Sequence, residues 1–192
     1  VGTAVAMLTA SQGDSPTELV NDIGPLQQTL LWDDCYLPRI PLDIPAVTRE
    51  ATLTASQPDP EPVRDGWNRQ IGKNPHAWHA GPEDWIAFEW DEARHIEEVV
   101  LAFDSEMSED LQLSWSNHCV GRFLRRLPDV LCQRYAIEIR EDAEWRPFLR
   151  VTDNIHRYRR HAVGTTVTGL RLRLLRFHGN VESARLYTFV VR

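Results

Sequence analysis

Residues 84–104 constrain the fold more than any other stretch. Ile86, Phe88 and Trp90 alternate with Trp85, Ala87 and Glu89, and Val99, Leu101 and Phe103 alternate with Val100 and Ala102. Two runs of period-2 hydrophobicity, rich in aromatic and β-branched residues and split by Asp91-Glu92-Ala93-Arg94, predict two adjacent strands. Similar signals at 51–55, 111–115, 132–140, 145–152, 157–163, 167–177 and 184–191 predict further strands. Turn signals recur between them at roughly 8–12-residue spacing, the pattern of an antiparallel β-sandwich.

The chain before residue 45 obeys another rule. Residues 2–12 are small, apolar and helix-forming, and Gly13 stands where a helix-terminating glycine belongs. These features predict a tightly packed helix. Ser15-Pro16-Thr17-Glu18 is a capping box with proline at the first helical position. A third helix is predicted over 25–33, with Leu26, Leu30 and Leu31 on its buried side. Helices this short cannot bury their own apolar faces, so they must dock on the sandwich or on a domain absent from this sequence. Six prolines between 38 and 62 predict extended connector around the first strand. The expected organisation is a helical segment at 1–42 and a sandwich at 43–192.

Charge narrows the partners. Residues 1–149 hold 12 Lys+Arg against 26 Asp+Glu, a net of −14, and residues 150–192 hold 9 against 2, a net of +7. The basic C-terminal strands are expected to complement the protein's own acidic ones. The overall −7 opposes nucleic-acid binding. Lys73 is the only lysine, so positive charge rests on arginine, which pairs with carboxylates in a planar, bidentate manner. No run reaches the roughly 20 apolar residues of a membrane helix, and 5–10 is too short for a signal-peptide core. Cys35, Cys119 and Cys132 are odd in number with no C-x-x-C pair, which fits a reducing, cytoplasmic setting and buried free thiols. The chain begins with Val rather than Met and in the middle of a pattern, and it reads as a processed or truncated piece.

Few residues point to chemistry. His76-x-x-His79 could offer two imidazoles to a metal, but no further ligand pattern completes a site, so no metal is expected. No local signature selects a Ser-His-Asp triad, and no catalytic residue can be named. Adjacent carboxylates at Asp33-Asp34 and Glu97-Glu98 read as solvated faces. No glycine-rich phosphate cradle occurs. Arg157-Tyr158-Arg159-Arg160 with Arg171-x-Arg173 forms the one basic patch, read as a solvent face paired with acidic neighbours. Trp85, Trp90 and Trp145 suit core or sheet-face packing. Trp67, Trp78 and Trp115 fall in or near loops, where a ring either stacks on a sugar or plugs the end of the sandwich.

Residues 49–192 resemble the discoidin-like, galactose-binding-type β-sandwich. The resemblance rests on the order of Ala51-Thr-Leu-Thr-Ala-Ser56, Val63-Arg-Asp-Gly66, Trp78, Trp85-Ile-Ala-Phe-Glu-Trp90 and Ile96-Glu-Glu-Val-Val-Leu-Ala-Phe103. Thr168-Gly-Leu-Arg-Leu-Arg-Leu174 and Ser183-Ala-Arg-Leu-Tyr-Thr-Phe189 look like its closing strands. It implies a mainly β, jelly-roll-like sandwich preceded by a small helical segment. Gly2-Thr-Ala-Val-Ala-Met, followed by Ile23-Gly-Pro-Leu-Gln-Gln-Thr-Leu-Leu-Trp-Asp-Asp-Cys-Tyr-Leu-Pro38, resembles the end of the flavin domain in a group of FAD-dependent oxidoreductases that continue into such a sandwich. That second resemblance implies FAD in the full-length protein, Gly2 and Thr3 beside the flavin at a helix N-terminus, and a missing flavin domain as partner. The dinucleotide-binding fingerprint is absent, so residues 1–192 alone are not expected to hold FAD or to be active. The sandwich would cover the active-site entrance or form contacts. The rival expectation is a carbohydrate-binding module that uses Trp67, Trp78 and Trp115.

Overall fold

A computed structural model describes residues 2–12, 15, 22–106, 127–141 and 144–192. The predicted capping box, the short strand at 111–115, Trp115, Cys119 and the basic stretch with Arg122, Arg125 and Arg126 lie wholly or mainly outside the described residues. The chain divides into two compact units, Val1–Ile44 and Pro45–Arg192.

The first unit contains helix α1 (Gly2–Gln12) and helix α2 (Gly24–Leu31). α2 starts with Pro25 near its N-terminus, where a missing N–H costs nothing. Gln28 ties the segment after the helix back to it. Its Nε2 donates to Pro41 O at 3.2 Å, and its Oε1 accepts from Asp43 N–H at 2.8 Å. The expectation of tight packing for α1 does not hold: of its described side chains only Ala4 is buried, and Met7 is 65 % exposed. Small side chains make a helix easy to form but leave it little area to bury.

The second unit is mainly β and antiparallel. Strands β1 (Thr52–Ala55), β2 (Trp78–Ala80), β3 (Trp85–Phe103), β4 (Cys132–Arg140), β5 (Trp145–Val151), β6 (Tyr158–Phe177) and β7 (Ala184–Val191) are hydrogen-bonded in the order β2-β7-β3-β6-β4-β5, with β1 also on β3. The two runs at 84–104 are not two adjacent strands. They form the single 19-residue strand β3, whose halves pair with β6 on either side of a register shift between Glu89 and Arg94. Its first half also pairs with β1, and its second half with β7. The expected strands at 157–163 and 167–177 likewise merge into β6, which turns at Gly164 with φ +60°. The two long strands thus change neighbours along their length, β3 from β1 to β7 and β6 by taking on β4 in its second half.

The alternation seen in the sequence does set the core. Ile86, Phe88, Trp90, Val99, Leu101 and Phe103 are all buried in one apolar cluster with Ile137, Leu170, Leu172 and Phe189. Phe88 stacks on Phe189 with ring centroids 4.6 Å apart. The connector contains a short helix that the prolines had hidden, α3 (Ala46–Glu50), directly after Pro45. Its buried Thr48 explains the position. The hydroxyl donates to Val191 O at 2.6 Å and accepts Val191 N–H at 2.9 Å, closing the last strand.

Gly81 lets two loops meet. A Cβ there would lie 2.3 Å from the backbone oxygen of Glu182. Gly81→Ala is expected to lower stability by about 1–3 kcal/mol, read as a reduced urea midpoint with an unchanged slope. An unchanged midpoint would refute the contact.

Candidate functional site

The loop joining β1 to β2 holds the first candidate ring. A 3-10 turn at Glu61–Arg64 leads into Asp65 and Gly66, whose φ of +89° suits glycine. Asp65 organises the rest of the loop. Its Oδ1 accepts Trp67 N–H at 2.9 Å, an Asx turn, and its Oδ2 lies 2.6 Å from His76 Nδ1. Trp67 is half-buried with its ring 5.6 Å from that of His76. Arg64 braces the near side by donating to Thr48 O and Ala51 O, both at 2.9 Å, while it chelates Glu61. On the far side Arg157 donates to Asn68 O. Trp67 therefore sits on a braced loop.

Trp78 is corrected by the structure. It is 0 % exposed, and its Nε1 donates to Gln57 O at 3.2 Å. A ring enclosed on both faces has none left for a sugar, so Trp78 plugs the sandwich. Trp115 lies outside the described residues. Gly2 and Thr3 are exposed at the start of α1.

The two histidines of the His76-x-x-His79 pair have different settings. His76 is committed to Asp65, whereas His79 lies exposed on β2, and no group of three possible ligands is arranged for a metal among the described residues.

The basic C-terminal strands meet acidic ones, as their charge implied. Arg160 chelates Glu98 through two 2.9 Å bonds, and Arg192 joins the same carboxylate. Burial pushes the Glu98 carboxyl up, but the two guanidinia outweigh it and hold the group below its ordinary value. Arg185 pairs with the buried Asp104 at 2.7 Å. The single basic patch inferred from sequence is in fact divided, because Arg160 lies on one half of β6 and Arg171 and Arg173 on the other.

A lattice of arginine and tryptophan on the outer sheet face could not be foreseen from the sequence. Cross-strand neighbours Ala87, Arg171, Glu138 and Pro147 form one row, and Glu89, Gly169, Arg140 and Trp145 the next. The Arg171 guanidinium lies 4.5 Å from the Trp145 ring centre and 5.7 Å from that of Trp85. Glu138 receives Arg171 at 2.5 Å and Arg173 at 3.6 Å, and Arg140 pairs with Glu89 at 2.6 Å across Gly169. A Cβ at Gly169 would meet the Trp145 ring at 2.9 Å, so the ring packs closely against the sheet there. The Glu138/Arg140 and Arg171/Arg173 alternation was the available signal, but it did not say that the two pairs were neighbours.

Buried titratable groups lie behind this face. Tyr135 Oη and His161 Nε2 are 2.8 Å apart in the core. Burial, helped by the Arg159 charge and opposed by Glu98, lowers the His161 pKa to about 4. Burial raises that of Tyr135 and pushes the Cys132 thiol up to about 12, which makes the thiol unreactive.

Comparison with known proteins gives the fold. No protein-family model matches the chain, and no curated protein does. Among solved structures, it is similar to the family 32 carbohydrate-binding module from Streptococcus pneumoniae EndoD, at a TM-score of 0.56 and 14% identity over 76% of this chain and 97% of that one. The family 32 module of C. perfringens NanJ, solved with galactose, aligns at 0.51 and 10% identity over 75% and 94%. Chitosan-binding module 1 of a Paenibacillus sp. IK-5 chitosanase/glucanase aligns at 0.51 and 13% identity over 76% and 97%. At such identities the likeness establishes a discoidin-like sandwich and nothing finer.

Proposed function

We propose that this sandwich is a carbohydrate-recognition module and that Trp67 is a ring on which the saccharide stacks. Trp67 carries the reading: of the two candidate loop rings that the structure describes, it is the one left partly accessible, on a loop braced from both sides. Pre-organisation of that kind lowers the entropy cost of binding. The fold shared with carbohydrate-binding modules supports the ligand class. Glycan-array screening of the whole chain should return at least one saccharide, and Trp67→Ala should weaken it about tenfold, the equivalent of ~1.4 kcal/mol. Failure to bind any sugar would defeat the reading. Binding unchanged in Trp67→Ala would remove Trp67 from it.

A second reading is that the chain is the C-terminal part of a FAD-dependent oxidoreductase, with the flavin near Gly2 and Thr3. The observation favouring it is the apolar surface that the helical unit leaves exposed, at Met7 (65 %), Ile23 (50 %) and Tyr36 (39 %). The test is the coding sequence upstream, which should encode a G-x-G-x-x-G strand–turn–helix in the same frame. An upstream sequence without that fingerprint refutes it.

A further inference from the structure

One arginine cluster on the outer sheet face has no acidic counterpart among the described residues beyond one long contact to Glu138. Arg134 on β4 and Arg176 on β6 are directly opposed across the ladder, and both are exposed. Ala136, the next outward position on β4, is flanked by Arg173 on one side and by exposed Arg150 on the other. Like charges in register oppose strand pairing, and neighbouring strands stand only about 4.8 Å apart. Elsewhere the chain answers arginine with carboxylate, at Glu98, Asp104, Glu89 and Glu138. Here it does not. Arg134, Arg150 and Arg176 make no ion pair or side-chain hydrogen bond among the described residues, and Arg173 has only the 3.6 Å contact to a carboxylate already held by Arg171. Its Nε is buried without a hydrogen-bond partner.

Two features beside the cluster supply shape. Trp85, half-buried, is the cross-strand neighbour of Arg173. Arg176 lines a cleft of about 340 Å³ shared with Pro82, Leu175 and Asn180. The surface thus joins an aromatic ring, a recess with apolar and amide walls, and four guanidinia whose planar forks match carboxylates.

We propose that this face binds an acidic saccharide, a uronate-containing glycan whose carboxylates are taken by Arg134, Arg150, Arg173 and Arg176. It rests on the carbohydrate-recognition reading for the class of its ligand and uses a surface separate from the Trp67 loop. A nucleic acid fits less well, because the chain's net charge of −7 repels an extended polyanion while leaving a short carboxylate ligand to the local guanidinia.

The test is titration calorimetry of the full chain with oligogalacturonate, its fully methyl-esterified counterpart and a single-stranded oligonucleotide. The free acid should bind, the ester should not, and moderate salt should weaken binding. The triple variant Arg134→Ser/Arg150→Ser/Arg176→Ser should lose about tenfold or more in affinity. Arg39→Ser/Arg49→Ser, which removes exposed arginines outside the cluster, should bind as the parent does. Equal binding of acid and ester, or an unaffected triple variant, overturns the proposal. So does an oligonucleotide that binds in place of the uronate. If a neutral glycan binds through Trp67 and the uronate does not, this proposal fails while the carbohydrate reading stands. If no saccharide binds at all, both fail.

Discussion

Trp78→Ala should unfold this domain more readily by about 3–5 kcal/mol, as large-to-small changes at fully buried aromatic positions do. The ring is wholly enclosed in the main apolar cluster with Val63, Ile86 and Leu186. Removing it leaves a cavity and strands Gln57 O, which has accepted the indole N–H. Urea denaturation measures the loss, and a change below about 1 kcal/mol would contradict the burial described. The variant also separates scaffold from ligand ring. At temperatures where Trp78→Ala remains folded, its saccharide affinity should equal the parent's, whereas Trp67→Ala should keep the parental midpoint to within about 1 kcal/mol and lose affinity.

Acid should destabilise the domain in a window that belongs to His161. An unfolded chain takes up a proton at this histidine near its ordinary value of 6.5, whereas the folded protein resists until about 4. Between those values the unfolded state holds more protons, so stability is complete above the upper value and declines as pH falls toward the lower one. The loss amounts to about 3 kcal/mol. The residue is 8 % exposed, and its imidazole is set against Tyr135 inside the core. Asp84 and Glu98 also have lowered values. Burial alone would raise both, but backbone and Gln57/Ser56 hydrogen bonds at Asp84, and Arg160 and Arg192 at Glu98, outweigh it. Their contributions are present above 3.8 and 4.5 respectively and disappear below those values, beneath most of the histidine window. Thermal midpoints of the parent and His161→Gln, compared from pH 7 to about pH 4, should converge as the pH falls. Parallel curves would refute the assignment.

Much of the sandwich was legible because its signal is local. Cys132–Arg140 alternates in sequence as it alternates in the fold, and Ala184–Val191 reads as a strand although it is buried almost throughout. The strand merger at 84–104 was not legible, because Asp91-Glu92-Ala93-Arg94 looks like a turn whether the chain reverses or bends. Only the pairing of both halves with β6 distinguishes the two. α3 was hidden among prolines, and its anchor at Thr48 depends on a residue 143 positions away. The candidate rings show the same limit. Trp67 and Trp78 looked alike as loop tryptophans, yet one is partly accessible and the other sealed.

By itself, then, the sequence determined the strand alternation, the helical start before residue 45 and the division of charge between the two ends, because each is a property of neighbours along the chain. Which faces meet was decided by the tertiary structure alone. It enclosed Trp78, set His161 against Tyr135, and gave Arg171 a carboxylate while leaving Arg134 and Arg176 opposed without one among the described residues. The reason is physical. Burial and pairing energies depend on contacts made across strands, and the period of two that places a side chain on a face carries no information about what will stand opposite.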